Sequence, residues 1–284
     1  MLCGLTVLLI VWGAVVRSTQ SGLGCPDWPL CYGSLIPPLE KAALIEYFHR
    51  LLATLVGLMA LGVMIAVWCK KELRRQMGQW ALMMVFLLLA QAVLGGVTVK
   101  SELQPHIVAT HLGMALIFLA VIFYMALSVC EARGASSEVT KIPGPSLRTS
   151  RFARFIAQIA LAFLFLQMIL GGMVAASNAG LACPDFPTCQ GVWWPKLQGL
   201  AGIHFLHRLG ALAVSVLVLI LTLVKFRLPA VRAVFVLTLL QVLFGIGAVM
   251  MGLPLAMRIA HNAVAVLLFL GLMKTTYALR HNPA

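Results

Sequence analysis

Apolar residues run along the chain in long blocks, and each block is bounded by a cluster of basic residues or of proline and glycine. A bilayer core about 30 Å thick needs roughly 20 helical residues to cross it. Eight blocks are apolar enough to serve, at approximately 2–17, 42–68, 80–99, 106–130, 155–176, 202–224, 233–251 and 257–278. The pattern predicts an all-α polytopic membrane protein. The first block is short and starts at Met1 with no basic flank, so it does not read as a signal peptide and leaves the true N-terminus in question.

Composition agrees with that reading and removes the alternatives. Of 284 residues, 62% are hydrophobic and 10% charged, and the mean hydropathy is +1.00. A soluble core of this size has no room for so much apolar surface, and disordered chains are poor in the Leu, Val, Ile and Phe that dominate here. The net charge of +13 would point to nucleic acid in a soluble protein. In a membrane protein the placement of Lys and Arg reports orientation instead, so no nucleic-acid partner is implied.

The connection at 69–79 carries Lys70, Lys71, Arg74 and Arg75, and the one at 131–154 carries Arg133, Lys141, Arg148, Arg151 and Arg154. Lys225, Arg227 and Arg232 mark a third basic connection, and Lys274 with Arg280 marks the tail. All are expected on the cytoplasmic side, with both termini inside and the connections at 18–41 and 177–201 outside. Cys25, Cys31, Cys183 and Cys189 fall in those two outer connections, where a disulfide persists, whereas Cys3, Cys69 and Cys130 lie toward the cytoplasm. Each outer pair is spaced C-x5-C with two prolines between, which suits a tight disulfide loop; a metal-binding dithiol is the alternative.

The outer segments also expose an internal repeat. GLGCPDWPLCYG at 22–33 matches GLACPDFPTCQG at 180–191 in eight of twelve positions, offset by 158 residues. EYFHRL at 46–51 lies over HFLHRL at 204–209 with the same offset. QAVLGGV at 91–97 corresponds to QVLFGIG at 241–247, and VATHLGMA at 108–115 to RIAHNAVA at 258–265, now offset by 150. Two copies of a four-helix unit follow: a bundle at 1–130, a cytoplasmic linker at 131–154 with Pro143, Gly144 and Pro145, and a second bundle at 155–284.

In each copy one histidine on the second span pairs by position with one on the fourth, His49 with His111 and His207 with His261, all toward the outer ends of their helices. Two imidazoles on facing helices of a bundle form the geometry for axial ligation of a haem. Arg50 and Arg208 follow the second-span histidines, and Arg17 and Arg258 lie at nearby helix ends, where they are expected to pair with propionates. The bland readings are a packing histidine hydrogen-bonded in the membrane and an arginine that merely snorkels to the interface. His106 and His281 read as bystanders. Four histidines at repeat-equivalent positions favour haem ligation, because ionisable groups in hydrocarbon are costly and usually functional.

The repeat breaks at one position. Glu46 in the first copy becomes His204 in the second, although His49 and His207 three residues later agree. Residues i and i+3 share a helix face, so Glu46 points toward the same pocket as His49. A carboxylate there has the means to take a proton or stabilise positive charge, which makes the first copy the reactive one and the second a holder of a redox cofactor. The alternative is a simple i, i+4 ion pair with Arg50. A di-iron site would need further carboxylates and a second E-x-x-H, and zinc would need more converging ligands.

These motifs, GLGCPDWPLCYG, EYFHR and QPHIVATH with their counterparts GLACPDFPTCQG, HFLHR and RIAH, resemble the haem A synthase family over nearly the whole chain. The resemblance implies eight spans in two four-helix bundles and oxidation of the C8 methyl of haem O to the formyl group of haem A, the cofactor of haem-copper terminal oxidases. It implies haem b at His207 and His261, haem O at His49 and His111, and Glu46 as the catalytic acid. It also implies that Cys25 and Cys31 form a disulfide linked to activity or haem transfer, though not every member carries these cysteines, and the short first span departs from the family pattern. Substrate delivery by haem O synthase, an unidentified electron partner, a homo-oligomer and a bacterial cytoplasmic membrane location complete the expectation. The mechanism expected is stepwise, two hydroxylations giving a geminal diol that loses water. A dihaem cytochrome exchanging electrons with quinone is the rival, needing the four histidines but no acid. A transporter built from parallel repeats fares worse, since nothing polar lines the midplane.

Overall fold

The computed structural model describes residues 1–132 and 147–281. Among these are eight α-helices: α1 Leu2–Ser18, α2 Lys41–Cys69, α3 Lys71–Lys100, α4 Pro105–Ala132, α5 Leu147–Ala176, α6 Gly199–Lys225, α7 Pro229–Met250 and α8 Leu255–His281. Seven are long and apolar enough to cross a membrane, while α1, at 17 residues, is shorter. No strand is present among the described residues, only isolated bridges at Cys31–Ser34 and Cys189–Val192. The chain groups into two compact units, Met1–Met125 with Ala175–Ser177, and Ala126–Val174 with Asn178–Ala284. Most of the expected linker, including Pro143, Gly144 and Pro145, lies outside the described residues.

The helices show the burial pattern of protein in lipid. On α2 the small and medium residues Ala43, Leu52, Val56 and Ala60 face inward, while Leu51, Leu55, Leu58 and Ile65 are exposed. Such an apolar exterior marks an interaction surface, and over helices of this length hydrocarbon is the solvent that suits it.

One expected connection is not a loop. The basic stretch at 69–79 shrinks to Lys70 alone, which has extended dihedrals between the end of α2 and the start of α3. Lys, Glu, Leu, Arg, Gln and Met are all strong helix formers, so the helix continues past the apolar block that the hydropathy pattern outlines. Glu72 in the first turn also complements the positive end of the helix dipole.

The two outer loops are tied down by the same set of contacts. Cys25–Cys31 and Cys183–Cys189 are disulfide-bonded, and each disulfide packs against the first turns of the helix that follows, at Ala43 and Tyr47 or at Ala201 and Phe205. The loop then turns through Tyr32 and Gly33, or Gln190 and Gly191, all with positive φ. Two successive left-handed residues are why glycine occupies the second position. Asp27 accepts the Tyr32 and Gly33 amides at 2.6 and 2.7 Å. Asp185 accepts those of Gln190 and Gly191 at 2.6 and 3.0 Å, together with the Thr188 hydroxyl.

Those donors hold both carboxyls below the usual range, Asp27 chiefly through the Gly33 amide and Asp185, at about 2, chiefly through the Thr188 hydroxyl. A depressed folded value means the contribution is complete above the ordinary 3.8 and is lost as pH falls through about 2. Hydrogen exchange at Gln190 and Gly191, corrected for intrinsic rates, should therefore stay slow from neutral pH to about 4 and accelerate below that. Asp185→Ala should remove the protection across the whole range.

Candidate functional site

Each of the four paired histidines lies against a glycine of the preceding helix. A Cβ built on Gly13 would stand 3.4 Å from His49 Cε1, and one on Gly95 would stand 3.7 Å from His111 Cε1. The corresponding distances are 2.9 Å from Gly171 to His207 and 3.0 Å from Gly245 to His261. On α5 and α7 the room for the ring is thus made by a missing side chain, whereas on α1 and α3 a methyl would only reach ordinary contact. His49 and His111 lie on α2 and α4 of the first unit, and His207 and His261 on α6 and α8 of the second.

The hydrogen-bond environments of the two pairs differ. Nδ1 of His49 and Nδ1 of His111 are buried and have no partner. In the second unit His261 Nδ1 lies 3.1 Å from the Gln241 carbonyl oxygen, to which it donates, and Gln241 Nε2 lies 3.1 Å from His261 Nε2. Gln167 Nε2 lies 2.9 Å from His207 Nδ1 and donates to the His207 carbonyl at 2.7 Å. The sequence reading overlooked both glutamines, although the glycines opposite the rings recur at the repeat offsets and were there to be found.

Glu46 is buried, and its Oε1 accepts Arg50 Nε at 3.2 Å, so the i, i+4 ion pair is present. The rest of the Arg50 guanidinium grips the outer loop, Nη1 donating to the Asp27 and Leu30 carbonyls at 2.9 and 2.7 Å and Nη2 to Cys25 at 3.3 Å. Arg208 repeats the grip on Asp185, Thr188 and Cys183 at 2.7, 2.7 and 2.6 Å, while its Nε donates to His204 Nε2 at 3.4 Å. Arg17 Nη2 donates to the Ala175 and Ala176 carbonyls at 2.9 and 2.8 Å. Arg258 sits three residues before His261 on α8, on the same face. Three of the four arginines expected at propionates are therefore engaged with main-chain oxygens.

Among the described residues no three His, Cys, Asp or Glu side chains gather into a metal-ligating cluster. The donor sets are pairs of imidazoles, half-buried and set in glycine-lined recesses. That chemistry fits axial ligation of a haem, which asks for two neutral nitrogens, a flat space and apolar walls.

Seven long apolar helices and two imidazole pairs define a multi-pass membrane protein with intramembrane histidine sites. The chain belongs to the COX15-CtaA family, described as cytochrome oxidase assembly protein, whose family model matches residues 1–44 and 40–273. It is 31% identical to the haem A synthase of Shewanella oneidensis over 97% of this chain and 94% of that protein. It is 30% identical to the haem A synthase of Halalkalibacterium halodurans, covering 98% and 94%. The haem A synthase of Alkalihalophilus pseudofirmus is 31% identical, covering 95% and 92%.

The glycine recesses predict an ordered stability series. Gly171→Ala and Gly245→Ala force a methyl into a histidine ring and should destabilise the protein by about 1–3 kcal/mol. Gly13→Ala and Gly95→Ala meet ordinary contact distances and should be neutral or stabilising by up to about 1 kcal/mol, since Ala is the better helix former. Thermal denaturation in detergent measures the order.

Proposed function

We propose that this chain is a haem A synthase, an oxidoreductase that converts the C8 methyl of haem O to the formyl group of haem A for terminal oxidase assembly. The observation that carries the proposal is the single break in otherwise matched sites. Four repeat-equivalent histidines are kept, while a buried carboxylate, Glu46, appears beside one pair only and His204 takes its place beside the other. The near full-length likeness to haem A synthases supports the same reading.

His49 and His111 are the residues we assign to the substrate haem O, and His207 and His261 those we assign to haem b. Haem b held by His207 and His261 would supply one-electron transfer. Glu46 lies one turn before His49 on α2 and faces the substrate side of that ring. There its carboxylate accepts the proton released as the methyl is oxidised, or stabilises developing positive charge, and Arg50 orients it through Oε1. With oxygen from water, each of two successive hydroxylations of the methyl would pass two electrons to the external acceptor and release two protons, and the geminal diol would then lose water to leave the aldehyde. Arg17 and Arg258 are assigned to propionates, as are Arg50 and Arg208, for which that contact competes with the loop carbonyls they hold.

The basic clusters at Lys70–Arg75 and Lys225–Arg232 support an orientation with both termini in the cytoplasm of a bacterium. The outer disulfide loops then face the oxidising side. Delivery of haem O by haem O synthase and electron exchange with a second protein or a quinone complete the proposal.

Glu46→Gln should retain bound pigment and slow conversion of haem O by about 10²–10⁴-fold, the range of a lost general acid–base group. Pigment chromatography after expression in a host that makes haem O but no haem A measures it. Unchanged haem A output from the variant would overturn the assignment of Glu46, and a wild-type protein yielding haem b alone would favour a dihaem cytochrome.

A further inference from the structure

The outer loops carry apolar side chains that their own chain leaves uncovered. Beyond each disulfide the backbone runs through residues 34–39 or 192–197 before the next helix starts. Leu35, Ile36 and Leu39 in the first unit and Trp193, Trp194 and Leu197 in the second expose 57–92% of their surface. The three positions correspond at the repeat offset of 158 residues. By hydropathy both segments belong to connections outside the bilayer, where these side chains would face water. Clustered apolar exposure of that kind marks an interaction surface.

Packing places the segments beside the helix ends. Trp194 meets Phe205 edge-on with ring centroids 5.7 Å apart, and Phe205, in the second turn of α6, packs on the Cys183–Cys189 disulfide. The segment therefore lies along the first two turns of α6 instead of standing away from them. Exposed apolar side chains continue from the segments onto the helices, at Leu200 on α6 and at Leu44, Phe48 and Leu51 on α2. Those are the helix surfaces that face lipid.

The main chain limits the depth. Among the described residues the Ile36 amide donates to Ser34 Oγ at 3.3 Å, but the amides of Leu35, Leu39, Trp193, Trp194 and Leu197 have no partner. Unpaired amides are not tolerated in hydrocarbon. At headgroup level water and lipid oxygens supply acceptors, and tryptophan, with an apolar body and one N–H, is enriched in that layer. The repeat also favours lipid over a protein partner. Leu35 and Ile36 become Trp193 and Trp194, so apolar character is kept while shape is not, although the Cys, Pro and Asp residues of the loop are kept letter for letter. A fluid layer accepts either shape, whereas a protein interface depends on complementarity.

We propose that residues 34–39 and 192–197 are interfacial anchors, whose apolar side chains lie in the headgroup layer of the leaflet on the disulfide side and hold each loop down on the bilayer. The proposal needs the membrane setting of the chain and none of the haem assignments.

The test uses the full-length protein in the membranes of the expressing cells. The photoreactive residue p-benzoylphenylalanine in place of Ile36 or of Trp193 labels whatever lies against that side chain, and mass spectrometry identifies the adduct. Lipid adducts are expected at both positions. Adducts to another protein or to a second copy of this chain, or illumination that yields no lipid adduct, would overturn the proposal for that segment. Where a labelled variant does not accumulate, tryptophan fluorescence in phosphatidylcholine vesicles decides. The emission that Trp193→Phe with Trp194→Phe removes, or that Ile36→Trp adds, should be largely lost when the lipid carries bromine near the top of its acyl chains. Emission that bromine leaves unquenched would overturn the anchor and leave the proposed function intact.

Discussion

An imidazole inside a bilayer has to face either a hydrogen-bond partner or a metal, because hydrocarbon offers it nothing else. This structure meets that demand in different ways at its four paired histidines. Each ring lies against a glycine of the preceding helix, and on α5 and α7 the missing side chain is what leaves it room. The helices supply their own backbone hydrogen bonds, so only the side chains of the sites remain to be satisfied. Where the protein supplies a partner, as at His261, the ring is oriented in advance. Where it does not, as at His49 and His111, the buried Nδ1 atoms form a polar deficit that a ligand held through the opposite nitrogen does not by itself remove.

The outer loops extend the same logic to the ends of the helices. Arg50 and Arg208 each bind three loop carbonyls and one side chain on their own helix, in addition to the disulfide that closes the loop. A guanidinium presents five donors in a fixed fork, which suits a cluster of carbonyls better than the point charge of a lysine would. Glu46 is consequently linked through one side chain to the main chain around Cys25.

Much of this was legible in the sequence. The apolar blocks gave the spans, the C-x5-C pairs in matched contexts gave both disulfides, and the Glu46 and His204 exchange stood out because everything around it repeats. The connection at 69–79 was misjudged because hydropathy marks where a helix leaves lipid and not where it ends, and helix formers such as Lys71, Glu72 and Arg74 carry α3 onward. The loop grip of Arg50 and Arg208 was hidden because a carbonyl has no letter in the sequence. Gln167 was hidden for a different reason: its meaning lies in the space left by Gly210, forty-three residues away, and no local pattern connects the two.

The clamp arginines also explain how the copies diverged without losing their loops. The Nε of Arg50 donates to a carboxylate and that of Arg208 to an imidazole nitrogen, so either side chain satisfies the donor. The position three residues before His49 or His207 is therefore free to change chemistry while the disulfide loop keeps its anchor. Charge differs between the two outcomes, geometry much less. Under the proposed assignment, the exchange between Glu46 and His204 alters proton chemistry beside one histidine and leaves every main-chain contact of the clamp in place.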